Sequence, residues 1–282
     1  MHEMLRRMLA PVPDPLLRGV MYRRTFGRWG DFRTPRRFTE HLTARMLYER
    51  DAELAWTCDK MAMKAHAESV CPTLRVPGTL WSGTDVDSLD LSVLPEEWVI
   101  KPNHRSGLVS FGSRHSTREE LKQATRGWLR THDRAAIGEW AYRKAEHKLI
   151  IEPRLTTTTG VVPVDFKFFV FHGKVRLLER DAGRYTDVFQ ETFFTPDGRP
   201  VEMRNGADAW LDAPPPTSLR TMIAHAERLA AGFSFMRVDF YEVDGQPWFG
   251  ELTPYPSGGL DPYEPDEMDF ILGRWWRQEE TS

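Results

Sequence analysis

Cysteine is nearly absent from this chain. Its 282 residues include two, Cys58 and Cys71, too few for a disulfide framework and not spaced as a zinc motif. Both suit a reducing compartment. No apolar run approaches transmembrane length, and the opening Met1-His2-Glu3-Met4-Leu5-Arg6-Arg7 lacks the apolar stretch of a signal peptide. These absences predict a cytoplasmic protein without membrane insertion. A basic excess is lacking too. Lys and Arg number 38 against 41 Asp and Glu, a formal net charge of −3, so overall charge gives no footprint for nucleic acid. No Gly-rich dinucleotide fingerprint follows a first strand, and no long internal repeat is present.

What is there is an ordinary globular composition, 40% hydrophobic and 28% charged, in a length that allows one large domain or two to three small ones. Helical spacing is visible at Phe38 to Tyr48, from Asp59-Lys60 to about Val70, and in Leu219, Met222, Ile223, Ala226 and Leu229, with Gly232 as a stop. Ser116-Thr117-Arg118-Glu119 reads as a capping box opening a helix to about Leu129. Trp98-Val99-Ile100 and Leu149-Ile150-Ile151-Glu152 are short buried-type strands, and Asp165 to Phe171 with Lys174 to Arg180 form a hairpin around His172-Gly173. Thr156 to Gly160 is a turn-prone loop. Strands and helices intermix, which predicts an α+β fold with mainly antiparallel sheets.

Arginines crowd the first 56 or so residues, from Arg6 and Arg7 through Arg18, Arg28, Arg37 and Arg45 to Arg50, interleaved with Tyr22, Phe26, Trp29 and Phe32. One reading is a basic, aromatic grip for a polyanion or an acidic carrier. The other is a small helical lobe whose arginines are solvated or pair with acids elsewhere. The acidic overall balance favours the second.

Phe235-Met236-Arg237-Val238-Asp239-Phe240-Tyr241 and Trp248-Phe249-Gly250-Glu251-Leu252-Thr253 read as paired strands around Val243-Asp244-Gly245. Alternation gathers Arg237, Asp239, Glu251 and Thr253 at odd positions. The turn decides whether the strands share that face. A two-residue turn at Asp244-Gly245 would part Asp239 from Glu251. A three-residue loop with left-handed Gly245 pairs Glu242 with Gln246, sets Arg237 opposite Glu251 and puts Asp239 diagonally beside it. The three-residue loop is the expectation. Such a carboxylate pair suits Mg²⁺; a plain Arg–Glu cross-strand pair is the bland alternative.

Lys60, Lys101 and Lys167 each sit at a strand end, a loop or an alternating polar face. They read either as snorkelling lysines or as phosphate ligands. Behind Lys101, the loop Asn103-His104-Arg105-Ser106-Gly107 could turn backbone N–H groups toward phosphates. His104 is a possible base, although a lone loop histidine is more often plain polar surface. Glu152-Pro153-Arg154-Leu155 leaves a buried strand, so the Pro153 carbonyl and the Leu155 N–H suit an adenine edge. Asp165 suits ribose hydroxyls or magnesium, and Lys167 on the same face suits phosphate.

In order and spacing these pieces resemble the ATP-grasp superfamily. The local phrasing is similar to its teichuronopeptide-biosynthesis (TupA-like) type. The resemblance rests on Phe32-Arg33-Thr34-Pro35-Arg36-Arg37-Phe38-Thr39-Glu40, Asp59-Lys60, Val99-Ile100-Lys101-Pro102-Asn103-His104, Asp165-Phe166-Lys167-Phe168-Phe169, His172-Gly173-Lys174, Arg237-Val238-Asp239-Phe240-Tyr241 and Phe249-Gly250-Glu251-Leu252-Thr253. It covers about residues 20 to 276. It implies ATP held between two α+β lobes: an N-terminal helical region over 1–95, a small lobe over 96–155, and a large lobe over 156–282 carrying the metal site. Lys60 and Lys101, with Asn103, Ser106 and Gly107, would hold phosphates. Glu152, Pro153, Arg154 and Leu155 would line adenine, Asp165 would meet ribose, and Lys167 would reach the phosphates. Asp239, Glu251 and Thr253 would face Mg²⁺, and Arg237 would stabilise transition-state charge. Two departures stand out. Thr253 replaces a customary asparagine, and Arg105 replaces a glycine in the phosphate loop.

The implied activity is an ATP-dependent carboxylate–amine ligase working through an acyl phosphate on small-molecule substrates, in polysaccharide or specialised-metabolite biosynthesis. A kinase acting on a hydroxyl would use the same nucleotide site. A non-enzymatic nucleotide-binding partner is the third reading.

Overall fold

The computed structural model describes residues 13–130, 138–183, 189–205 and 213–278. Arg6, Arg7 and the rest of the N-terminal reading at residues 1–12 lie outside them. None of the described helices is long and apolar enough to cross a membrane.

Four helices precede the first strand among the described residues: α1 (Asp14–Phe26), α2 (Phe38–Tyr48), the single turn α3 (Glu53–Trp56) and α4 (Lys60–Val70). The small lobe is a four-stranded antiparallel sheet in the order β1-β4-β2-β3, formed by β1 (Trp81–Gly83), β2 (Glu97–Pro102), β3 (Ser110–Ser113) and β4 (Leu149–Pro153). Because β1 pairs with β4, this lobe starts ahead of the expected residue 96. Strand alternation splits the sheet. Trp98, Ile100 and Ile151 bury one face against Val86, Leu89 and Leu121, whereas Val99, Lys101 and Glu152 point the other way, toward the cleft. Helix α5 (Arg118–Ala124) covers the apolar side. Its capping box is Thr117 with Glu120, one residue beyond the expected pair, and the helix stops well before Leu129.

The large lobe is a six-stranded antiparallel sheet, β11-β10-β5-β6-β7-β8. It comprises β5 (Val164–Phe171), β6 (Lys174–Ala182), β7 (Gln190–Phe194), β8 (Pro200–Val201), β10 (Phe235–Val243) and β11 (Gln246–Thr253). A short β9 (Arg204–Asn205) pairs with β12 (Tyr263–Glu264). The β5–β6 hairpin turns on His172 and Gly173, at φ 48° and 73°. Phe166, Phe168, Leu178, Val238 and Phe240 make the apolar face. Helix α6 (Leu219–Leu229) closes it, with Met222, Ala226 and Leu229 at helical spacing and buried. At one end Phe38 of α2 meets Phe169, Phe171, Phe235 and Trp276, the last on α7 (Glu267–Trp276). Each of these buried phenylalanines contributes about 1.5–3 kcal/mol by leaving water.

The N-terminal arginines serve this packing. Arg45 is 3% exposed; it donates to the Phe235 carbonyl at 2.8 Å and to Ser234 Oγ at 2.8 Å, and lies over Trp276. Arg37 forks onto Asp266 at 2.6 and 2.8 Å. Arg37 pairs with an acid far along the chain, and Arg45 with Glu49 one turn on and with core backbone; a basic grip describes neither.

Candidate active site

Sheet register decides which side chains reach the cleft. The β10–β11 turn has two residues, Asp244 and Gly245, both at positive φ (50° and 72°), with Val243 opposite Gln246. The three-residue loop is therefore not formed, and Arg237 stands opposite Thr253, not Glu251. A regular ladder from that turn would have put Glu251 on the apolar face. A β-bulge between Asp239 and Phe240 prevents it. Phe240 pairs with Phe249 and Asp239 with Glu251, leaving Gly250 as the extra residue. Glycine is required there by close approach. A β-carbon on Gly250 would stand 2.8 Å from the Asp239 carbonyl oxygen. Gly250→Ala is expected to cost about 1–3 kcal/mol, as overpacking against backbone does, read as a lower denaturant midpoint at unchanged slope.

The bulge aligns a polar face across the strands. One row runs Glu251, Asp239, Lys167, Glu179, and the next runs Tyr241, Asp165, Asp181, Glu191. Arg237 grips Asp239 through both oxygens at 2.8 and 2.6 Å. Its Nη2 also reaches Thr253 Oγ1 at 3.3 Å, and Thr253 donates to Glu251 Oε1 at 3.4 Å. Burial pushes the Asp239 carboxyl up to about 7, against the pull of Arg237. Lys167 lies between Glu179 and Asp181 and bonds both. Burial alone would lower the Lys167 ammonium, but Glu179, Asp165 and Asp181 carry it above its ordinary range. Glu179, Asp181 and Glu191 bring carboxylate oxygens within 4.8 Å of one another. Burial and the Glu179 charge push Asp181 up to about 7 and Glu191 to about 8.

Against β11, Asp59 caps α4. One oxygen accepts from Met61 and Ala62 N–H, and the other from Asn103 Nδ2 at 2.7 Å and Glu146 N at 2.9 Å. Asn103 accepts in turn from Met61 N at 3.0 Å. That clamp sets Lys60 at the cleft wall, its Nζ on the Arg105 carbonyl at 2.6 Å. One turn along α4, Lys64 bonds Glu152 Oε1 at 2.9 Å, while Lys101 holds Oε2 at 2.6 Å. Burial lowers Lys60 to about 8. On the proposal that Lys60 holds a phosphate, its ammonium form is the binding one, so ATP affinity should fall as pH rises through 8, about tenfold between pH 7 and 9. Calorimetric titration at the two pH values reads this directly.

A cleft of about 930 Å³ joins the two groups. Lys60, Lys101, Ser106, Gly107, Glu152, Pro153, Arg154, Leu155, Asp165, Lys167, Arg237, Asp239, Glu251 and Thr253 all line it. Asn103 does not; its side chain is spent on the Asp59 clamp, so it positions Lys60 from behind. His104 is also withdrawn, fully buried and stacked on His147 at 4.0 Å. The Arg154 backbone N–H and side chain are both held by Glu97. Residues 40–276 match the family described as TupA-like ATP-grasp.

The chain belongs to the TupA-like ATP-grasp family.

That membership places it among ATP-dependent ligases of the ATP-grasp type. Solved ATP-grasp structures are similar to it. A D-alanine–D-alanine ligase from Helicobacter pylori superposes at a TM-score of 0.50 with 16% identity, over 80% of this chain and 61% of that one. A D-alanine–D-alanine ligase from Bacillus anthracis complexed with ATP gives 0.43 and 16%, over 81% and 69%. The ATP-grasp ligase PsnB with its minimal precursor gives 0.42 and 13%, over 72% and 53%. No curated protein sequence matches the chain.

The donor set suits the family's ligands. Lys60 and Lys101 put ammonium groups on one wall, fit for phosphates. Asp239 and Glu251 line the same cleft with hard carboxylate oxygens, fit for Mg²⁺. Thr253 supplies a hydroxyl already bonded to Glu251 and Arg237, so it steadies the pair. Sequence reading missed Lys64, Glu179, Asp181 and Glu191. Lys64 follows Lys60 by four residues, a helical spacing that places both on one face. Glu179 and Asp181 follow strand alternation from Leu177.

Proposed function

We propose that this ATP-grasp ligase joins a small-molecule carboxylate to an amine through an acyl phosphate. The observation that carries the reading is the bulged hairpin. It brings Asp239, Glu251 and Arg237 to the cleft that Lys60 and Lys101 also line. Mg²⁺ held by Asp239 and Glu251 would neutralise phosphate charge and organise transfer.

ATP is the substrate whose triphosphate spans the gap, with adenine toward Pro153 and Leu155 and ribose toward Asp165. Lys60 and Lys101 orient the phosphates. The substrate carboxylate attacks the γ-phosphorus, and ADP leaves. Arg237, fixed in place by Asp239 and Thr253, offers its guanidinium to the tetrahedral oxyanion when the amine adds to the acyl phosphate. The C–N bond forms as the C–O bond to phosphate breaks. No protein nucleophile enters the cycle, and Cys58 and Cys71 are both buried. Rate acceleration comes from positioning and charge compensation. A cytoplasmic location suits a consumer of ATP.

The test is co-substrate dependence. ADP and free phosphate should form only with both a carboxylate and an amine, and hydroxylamine should trap a hydroxamate. A stable phosphorylated product without free phosphate would install a kinase instead.

A further inference from the structure

Arg18, on α1, is 2% exposed yet lines the cleft. Its Nη2 donates to Thr43 Oγ1 at 3.1 Å and to the Gly258 carbonyl at 2.5 Å. Its Nε, also buried, has no hydrogen-bond partner among the described residues. Glu139, another cleft residue, flanks the same peptide. A β-carbon built on Gly258 would lie 3.0 Å from Glu139 Oε1 and 3.9 Å from Arg18 Nη1. The segment Pro256–Gly259 that they bracket follows closely on Thr253, at the end of β11. A guanidinium and a carboxylate thus flank one peptide in the cleft that the proposed metal pair also lines.

Neither charge is fully compensated. Burial lowers Arg18 to about 10, with Glu139 only partly offsetting, and burial raises Glu139 to about 7. A ligand that brought one charge of each sign would relieve both costs at once. The planar fork of arginine suits a carboxylate, and the acceptor-only carboxylate of Glu139 suits an ammonium.

We propose that Arg18 and Glu139 form the subsite for the amine substrate, and that this substrate is an amino acid, its carboxylate on Arg18 and its ammonium on Glu139. This deepens the ligase reading and rests on it for the chemistry, though the binding can be measured alone. Glu139 takes one proton from the ammonium. The freed lone pair forms the C–N bond, phosphate departs with the acyl C–O electrons, and the second amine proton leaves with the phosphate. The carboxylate on Arg18 is the non-reacting one.

The test titrates the full chain, with ATP and Mg²⁺ present, with free amino acids paired with their decarboxylated amines: alanine with ethylamine, glutamate with γ-aminobutyrate, lysine with cadaverine. At least one amino acid is expected to bind about tenfold to a hundredfold more tightly than its partner, the range of a charge-assisted hydrogen bond. In Arg18→Met that ratio should fall to within about twofold of one. In Glu139→Gln the advantage of alanine over propionate should shrink in the same way. A merely structural role would weaken both members of a pair and leave each ratio standing. No amino acid favoured over its amine, or a ratio that survives Arg18→Met, overturns the subsite. Preserved discrimination with no ADP release when a panel of carboxylates is added to the favoured amino acid would retain the subsite and remove the ligase reading. ADP release without discrimination would do the reverse.

Discussion

Asp239→Asn and Glu251→Gln should each lower turnover by about three orders of magnitude, the several kcal/mol that metal charge supplies to a phosphoryl-transfer transition state. The two substitutions should part company in stability. The Asp239 side chain is nearly inaccessible and carries both hydrogen bonds of the Arg237 fork, whereas the Glu251 side chain is 34% exposed. Asp239→Asn strands a buried guanidinium and should cost about 3–5 kcal/mol. Glu251→Gln should leave the denaturant midpoint nearly unchanged. Initial rates of ADP release and urea titrations on both variants check the pair of expectations.

Lys167→Met should destabilise the large lobe by about 3–5 kcal/mol at pH 7. Lys167 is the cation bonded to both Glu179 and Asp181. Without it these buried carboxylates face each other and Glu191 uncompensated. The pH dependence carries the sign. The Lys167 pKa is raised in the fold, so the stability from its charge is complete at neutral pH and is lost only as pH rises through that raised value. Glu179 is held below its usual range: burial would raise it, but Lys167 overrides. Its contribution is present above its unfolded pKa and fades as pH falls through the lowered one. In Lys167→Met the carboxylates become easy to protonate, so the deficit against the unmodified chain should shrink on acidification from pH 7 to 4. A deficit that stays constant over that range would contradict the ion-pair account.

Much of the fold could be read from local pattern. Lys60–Val70, Phe38–Tyr48 and Leu219–Leu229 are the helices that the spacing of Met, Leu and Phe predicts. The His172-Gly173 turn is announced by the glycine between two apolar runs. The β10–β11 hairpin is harder to read for a physical reason. Asp244-Gly245 suits a two-residue turn, and that turn alone would have sent Glu251 the wrong way. What restores it is Gly250, a residue whose importance is the absence of a β-carbon. In the sequence it reads as one more small core position. Glu191 escaped notice because its approach to Asp181 depends on the pairing of β7 with β6, which alternation within one strand does not encode. Arg18 was one arginine among many. Only the packing of α1 against the loop after β11 distinguishes it from Arg45 and Arg37, which serve the core and the surface. Asn103 shows the opposite case: the polar loop was noticed, but its side chain works on Asp59, behind the cleft.

Isotope transfer tests the acyl-phosphate route most directly. The substrate carboxylate is labelled with ¹⁸O and turned over with ATP, Mg²⁺ and the amine, and the released inorganic phosphate is examined by mass spectrometry. One labelled oxygen per phosphate is the expected result, because the carboxylate oxygen that attacks the γ-phosphorus leaves with it when the amide forms. Unlabelled phosphate alongside amide product would contradict the account.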